Sequence, residues 1–286
     1  MLYTTTTVLV RIFSNPLANV FQKRLTQKGK CPLVVNFFTY FILSLFCLFF
    51  IFKINWFDFS QDFWLYSMSG GFLGALGNAF LVKALEGGEL SVLGPINSYK
   101  AIVGMIIAML FLHEFPTLIG LMGMGFILVG SYFIFDTLKE KFSLKLLARK
   151  DIQYRLLALI FTAIEAVCIK KVIIESSFWV SFIMWCIFGA IFAFMFLLAF
   201  SSQKFVSPKK SDLWKIIGLV IAMGVMQLST SYVFKHMQVG YALSLFQLST
   251  LVSVFFGYKF FKESNIKKKL LGAVVMILGS VLIILY

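Results

Sequence analysis

A chain of 286 residues that is 60% hydrophobic and only 13% charged is far from a soluble domain, where about 45–50% of residues are apolar and about 25% charged. The composition predicts an integral membrane protein, and a formal net charge of +14 then reads as loop charge facing anionic lipid headgroups rather than as a nucleic-acid surface. Cys31, Cys47, Cys168 and Cys186 are too few and too scattered for a disulfide framework.

A hydrocarbon core of ~30 Å needs ~20 helical residues per crossing. In chain order, the first apolar run covers 3–22, carries Arg11 and Pro16 and ends in the basic QKRLTQKGK. It lacks the short apolar region and small-residue cleavage site of a signal peptide and is read as a retained helix. Spans at 33–52 and 63–82 follow, the latter holding GGFLGALG (70–77). Glycines three and four apart in an apolar span mark helix packing rather than a nucleotide loop. LEGGE (85–89) reads as a turn, and HEFP (113–116) divides an apolar region too long for one crossing into spans at 90–112 and 117–135. The rest of the chain gives 154–173, 178–200, 214–234, 240–261 and 269–285. The expected fold is therefore all-α, with ten transmembrane helices.

FLHEFPTLIGLMGMGFILVGS (111–131) set over FFKESNIKKKLLGAVVMILGS (260–280), at an offset of 149, pairs Glu114 with Glu263, Gly123 with Gly272, Gly130 with Gly279 and Ser131 with Ser280. This divides the chain into two five-helix repeats, 1–150 with the central loop and 151–286. Five is odd, so the second repeat enters the membrane inverted. Charge agrees: of 26 Lys and Arg, 20 lie in or beside loops that follow odd-numbered spans, Arg155 and Lys215 among them. Four (Lys53, Lys170, Lys171 and Lys235) flank the even loops, and Arg11 and Lys100 lie inside spans. The positive-inside rule puts the odd loops in the cytoplasm and both termini outside.

Two five-helix halves, each closing on a Glu (HE at 113–114, KE at 262–263), a short break and a last helix of the form G-x6-G-S, resemble the EamA-type branch of the drug/metabolite transporter superfamily. The resemblance implies a secondary carrier of small organic metabolites with a central cavity between the halves, to which the fourth and ninth helices contribute. It also implies both termini in the cytoplasm, opposite to the charge count.

Polar groups inside spans carry the site. Lys100 lies near the bilayer centre, where a charge costs from ~2.5 to over 10 kcal/mol and should face the bundle interior. The alternatives are snorkelling and a structural ion pair. Pro95, five residues earlier, removes a backbone donor and frees carbonyls beside Asn97, Ser98 and Tyr99; broken helices near the midplane are where carriers bind substrate. The counterpart SLFQLST (244–250) offers Gln247 but no proline, so the site should be asymmetric. Glu165 is the acidic residue deep in a span; it would pair with Lys100, take a substrate ammonium or carry a proton. Arg11, Asn78 and Gln227 complete the candidates, with helix–helix bonding the alternative for the two amides. Glu114 and Glu263 are read as structural, each capping the helix that follows it.

No G-x-x-x-x-G-K-[ST] motif, nucleophile–base pair or metal-ligand spacing appears around His113 or His236. Neither enzyme activity nor a cofactor or metal is expected. The reading is an alternating-access secondary transporter of a small anionic or zwitterionic organic metabolite, such as an amino acid. Its alternatives are a flippase for a lipid-linked sugar or phosphate headgroup and a non-transporting assembly partner. Expected partners are the small-molecule substrate and membrane lipids, with no nucleic acid, in a monomer or homodimer in the bacterial cytoplasmic (inner) membrane.

Overall fold

The computed structural model describes residues 2–52, 54–100, 102–103, 117–138, 145, 148–200, 212–237 and 239–285. Long helices form α1 (Leu2–Thr26), α2 (Pro32–Ile51), α3 (Gln61–Gly87), α5 (Leu118–Phe135), α6 (Lys150–Glu175), α7 (Phe178–Phe200), α8 (Leu213–His236) and α11 (Ile266–Leu285). Two further crossings are broken. The fourth begins as α4 (Leu90–Leu93) and tightens into a 3-10 turn at Pro95–Ser98; the ninth is α9 (Val239–Phe246) followed by α10 (Ser249–Phe261). HEFP, with His113 and Glu114, lies outside the described residues.

Local chemistry sets several of these ends. Ser60 and Thr117 stand just before α3 and α5, and their hydroxyls accept from Phe63 N and Gly120 N, each at 3.1 Å. Such side-chain acceptors satisfy donors that a helix start leaves free. α3 runs on through the first three residues of LEGGE, expected as a turn, and ends at Gly87, so that only Gly88 and Glu89 break the helix.

The helices pack as two inverted repeats. Exchanging each helix for its counterpart turns the α3–α6 contact into α1–α8 and α3–α7 into α2–α8, while α2–α7 and α5–α11 map onto themselves. The self-paired α5 and α11 cross at the glycines that the repeat aligns. A Cβ on Gly272 would lie 2.5 Å from the Gly130 carbonyl, and one on Gly279 2.5 Å from that of Gly123. Only backbone without side chains allows so close a crossing.

Apolar residues are distributed as lipid demands. Phe46, Phe49, Phe50, Met122, Leu198 and Ile221 are exposed, whereas Asn36, Asn78, Gln227, Ser231 and Gln247 are buried. Among the described residues, α2, α3, α5, α7 and α8 have the length and hydropathy of membrane spans. α1 and α6 contain Arg11, Asn15 and Asn19, and Arg155, Glu165, Lys170 and Lys171, which lowers their hydropathy. Much of that polarity turns inward onto one cavity.

Candidate functional site

A cavity of about 110 Å³ lies between the two halves, with walls from α1, α2, α3, α6, α7, α8 and α9 and from the broken fourth crossing. Arg11, Lys100, Arg155 and Glu165 line it together with Asn15, Asn19, Asn78, Asn97 and Gln227. Tyr40, Trp185, Phe234 and Phe246 supply aromatic surface. Six of the eight residues proposed from sequence therefore meet here. Tyr99 and Gln247 do not line the cavity: Tyr99 packs into the apolar cluster around Ile127 and Met276, and Gln247 is 1% exposed, between the two broken crossings.

The break in the fourth crossing follows from its sequence. Pro95 has no N–H, and Asn97 N turns to Gly94 O at 3.0 Å in a 3-10 bond. Leu93 O is thereby deprived of its α-helical donor. Arg155 on α6 replaces it, donating from Nε to Leu93 O at 2.8 Å and from Nη2 to Asn97 Oδ1 at 3.0 Å. Arg155 is 7% exposed, so the charge that the loop count assigned to a membrane surface is a buried part of this wall. Its position five residues inside α6 was the available signal.

Asn97 passes the connection on. Its Nδ2 donates to Gln247 Oε1 at 3.3 Å, and Ser98 Oγ reaches the same oxygen at 3.5 Å. The ninth crossing breaks at Gln247 without a proline, through 3-10 bonds from Leu248 N to Leu245 O (3.1 Å) and from Thr250 N to Gln247 O (2.8 Å). The expected asymmetry thus holds for residue type and not for backbone: both counterpart crossings are interrupted, and Arg155, Asn97 and Gln247 tie the interruptions together.

Lys100 and Glu165 share the cavity without forming an ion pair among the described residues. Glu165 Oε1 accepts the Trp185 indole N–H at 2.6 Å, the one side-chain hydrogen bond to this carboxylate among the described residues. Gly74 makes room for it, since a Cβ there would collide with Glu165 Oε1. Arg11 lies over the Phe246 ring with Cζ 4.3 Å from the centroid. Its Nε and Nη1 are buried and have no acceptor among the described residues, and Gln227 Nε2 has none there either. Asn78 is instead fully engaged: it accepts from Gln22 Nε2 at 3.0 Å and donates to Asn36 Oδ1 at 2.6 Å, which is the helix-bonding role weighed for it from sequence. Among the described residues no cluster of three or more His, Cys, Asp or Glu stands at metal-binding distance.

A second cavity, of about 470 Å³, lies between α2, α3, α6 and α7 and is lined by Pro32, Phe80, Lys83, Glu86, Tyr154 and Phe196 among others. Its two charges satisfy each other, Lys83 Nζ standing 2.6 Å from Glu86 Oε2. The central cavity, by contrast, is lined by Arg11 and Gln227, whose buried nitrogens have no partner among the described residues.

A family model for EamA-like transporters matches the chain over residues 6–136 and again over 150–285. The chain belongs to the EamA-like transporter family. The transporter's fold is shared with solved structures, of which 26 chains match. One, titled only as the crystal structure of a protein, is 12% identical and superposes with a TM-score of 0.68 over 97% of this chain and 96% of its own. At that identity the likeness shows the fold alone. No curated protein sequence matches. Family and fold together make this a multi-pass membrane transporter of the drug/metabolite superfamily.

Proposed function

We propose that the protein is a secondary carrier of a small anionic or zwitterionic organic metabolite, such as an amino acid, held in the central cavity while units 1–150 and 151–286 rock about it. The observation that carries this reading is the Arg11 guanidinium: two buried nitrogens without an acceptor among the described residues, on a side chain that lines the cavity with Lys100 and Glu165. A guanidinium is suited to planar carboxylates and phosphates. With the Arg155 nitrogens Nε and Nη2 committed to Leu93 and Asn97, Arg11 and Lys100 are the cations left for a substrate anion. Glu165, oriented by Trp185, is the acceptor for a substrate ammonium. The cavity admits on the order of ten water-sized occupants, which favours a small molecule over a lipid-linked headgroup. The proposed working unit is a monomer or a homodimer. The proposed location is the bacterial cytoplasmic membrane.

Counterflow into liposomes by purified protein, with amino acids, organic acids, phosphates and amines offered in turn, tests the reading. One class is expected to accumulate saturably, and Lys100→Ala should abolish its uptake while the protein stays monodisperse. The paired change Lys100→Ala with Glu165→Ala should remain inactive. Full transport by that double variant would overturn the role of Lys100, and lipid scrambling without solute uptake would overturn the carrier reading.

A further inference from the structure

On the face that carries the odd loops, four chain segments from both halves converge on one ionic cluster. Lys23, in the last turn of α1, places Nζ 2.7 Å from Glu263 Oε1, with side-chain exposures of 5% and 6%. The same oxygen accepts Leu90 N at 2.8 Å, while Oε2 accepts Ser91 N at 2.8 Å and the Ser91 hydroxyl. Lys269, in the first turn of α11, donates to Ser91 Oγ at 2.9 Å and pairs with Glu89. Glu263 thus reaches across to the start of α4 instead of capping α11, as the sequence suggested. Lys262 and Asn265, at φ 54° and 58°, fold the loop back to place it there. Gly257 permits the approach: a Cβ on it would lie 2.9 Å from Ser91 N and collide with the Glu263 carboxylate.

We infer that this cluster is an ionic lock that holds the odd-loop face of the transporter shut. Its bonds run almost entirely between halves: Lys23, Glu89, Leu90 and Ser91 belong to the first, Glu263 and Lys269 to the second. Next to Lys23, Gln22 starts a buried amide chain, Gln22–Asn78–Asn36, which ties α1, α3 and α2 of the first half together and reaches the cavity at Asn78. Charged groups suit a closure that must reopen. Buried, the pairs hold because each partner is satisfied; when the face parts, water replaces the lost partners, and the net difference between the two states is small. Glu263 fits the role of permanent anion. Burial alone would raise its pKa, but Lys23 and the hydrogen bonds from Ser91 outweigh it and hold the carboxyl below its usual value. The lock is also one-sided. In the aligned repeat Lys269 corresponds to Gly120, so the Lys269 arm of the lock has no counterpart at that position of the first half.

The test needs no substrate and so stands apart from the proposed substrate class. In full-length protein lacking the native cysteines, Leu81→Cys reports on the cavity wall, and an impermeant thiol reagent is applied to reconstituted vesicles from the odd-loop face or from the opposite one. Glu263→Gln, and separately Gly257→Ala, which wedges the lock without removing a charge, should speed labelling from the odd-loop face at least about tenfold and slow it from the other. Unchanged labelling in well-folded variants would overturn the lock, as would equal acceleration from both faces, which signals general loosening. Lys23→Cys with Glu263→Cys supplies an independent check. Oxidative cross-linking of that pair should suppress labelling of Leu81→Cys from the odd-loop face, with recovery on reduction, and odd-face labelling that persists in cross-linked protein would overturn the proposal.

Discussion

Arg11 carries an energetic debt that the folded chain does not settle. A buried donor without an acceptor costs ~1–3 kcal/mol, and the contact with Phe246 at 4.3 Å returns ~0.5–2 kcal/mol of it. A substrate anion would complete the group. Arg11→Met, which keeps the stem and removes the donors, should therefore lower counterflow by about a hundredfold or more while leaving thermal stability unchanged or higher, as read by a melting curve in detergent. Loss of stability would instead make Arg11 a structural prop for α9. Arg155 has the opposite character: its Nε is satisfied by the Leu93 carbonyl freed at the helix break and its Nη2 by the Asn97 side-chain oxygen. Sequence pointed to Arg11 and Lys100 because their depth in apolar runs is visible as distance from the nearest turn. Arg155 sits close enough to the basic loop to be counted with it, and only packing against Leu93 shows that it turns inward. For the same reason the buried Lys23, Lys215 and Lys269 looked like surface charge.

Elements show where pattern suffices and where it fails. Long spans were legible because each is a run of apolar residues bounded by glycine, proline or charge, and their ends fall within a few residues of the expected ones. Gly123, Gly130, Gly272 and Gly279 were visible in sequence as aligned marks of the repeat, whereas their meeting at an α5–α11 crossing shows only in the packing. The break at Gln247 was not visible in sequence, since its backbone bonds by 3-10 geometry without a proline or glycine to announce it. Likewise the position of Glu263 depends on Lys262 and Asn265 taking left-handed backbone, which costs a non-glycine residue ~1–2 kcal/mol and is not written in a pattern. The glycine crossing makes the sharper prediction. Gly272→Val would drive two methyl groups into the Gly130 carbonyl and Ile134, separating α5 from α11. Overpacking of this kind costs ~1–3 kcal/mol or more, so the variant should melt at lower temperature than Gly125→Val, whose Cβ would meet nothing within 4 Å. Equal melting of the two would show that the crossing is not tight.

At the scale of the molecule, the pseudo-twofold arrangement leaves the orientation in the membrane to be set by charge. Several lysines and arginines that follow odd-numbered spans are neutralised inside the protein: Lys23 by Glu263, Lys215 by Asp212 at 3.1 Å and Lys269 by Glu89, while Arg155 bonds Leu93 O. Buried and bonded after folding, they still counted as charge while the helices were inserting, because topology is decided before tertiary contacts exist. Removing all four from the tally would in any case leave the odd loops far richer in Lys and Arg than the even ones. Orientation by charge therefore places the ionic lock at the cytoplasmic face and the termini outside, opposite to the arrangement that resemblance to the superfamily implies. Two exposed positions separate these directly. Phe57 lies in the loop after α2 and is 98% exposed; Lys267 is exposed at the start of α11. In intact cells expressing protein without the native cysteines, Phe57→Cys should react with an impermeant thiol reagent and Lys267→Cys should react only after the membrane is permeabilised. The reverse pattern would turn the transporter over in the membrane and move the lock to the outer face, with the cavity, its lining and the pairing of the halves unchanged.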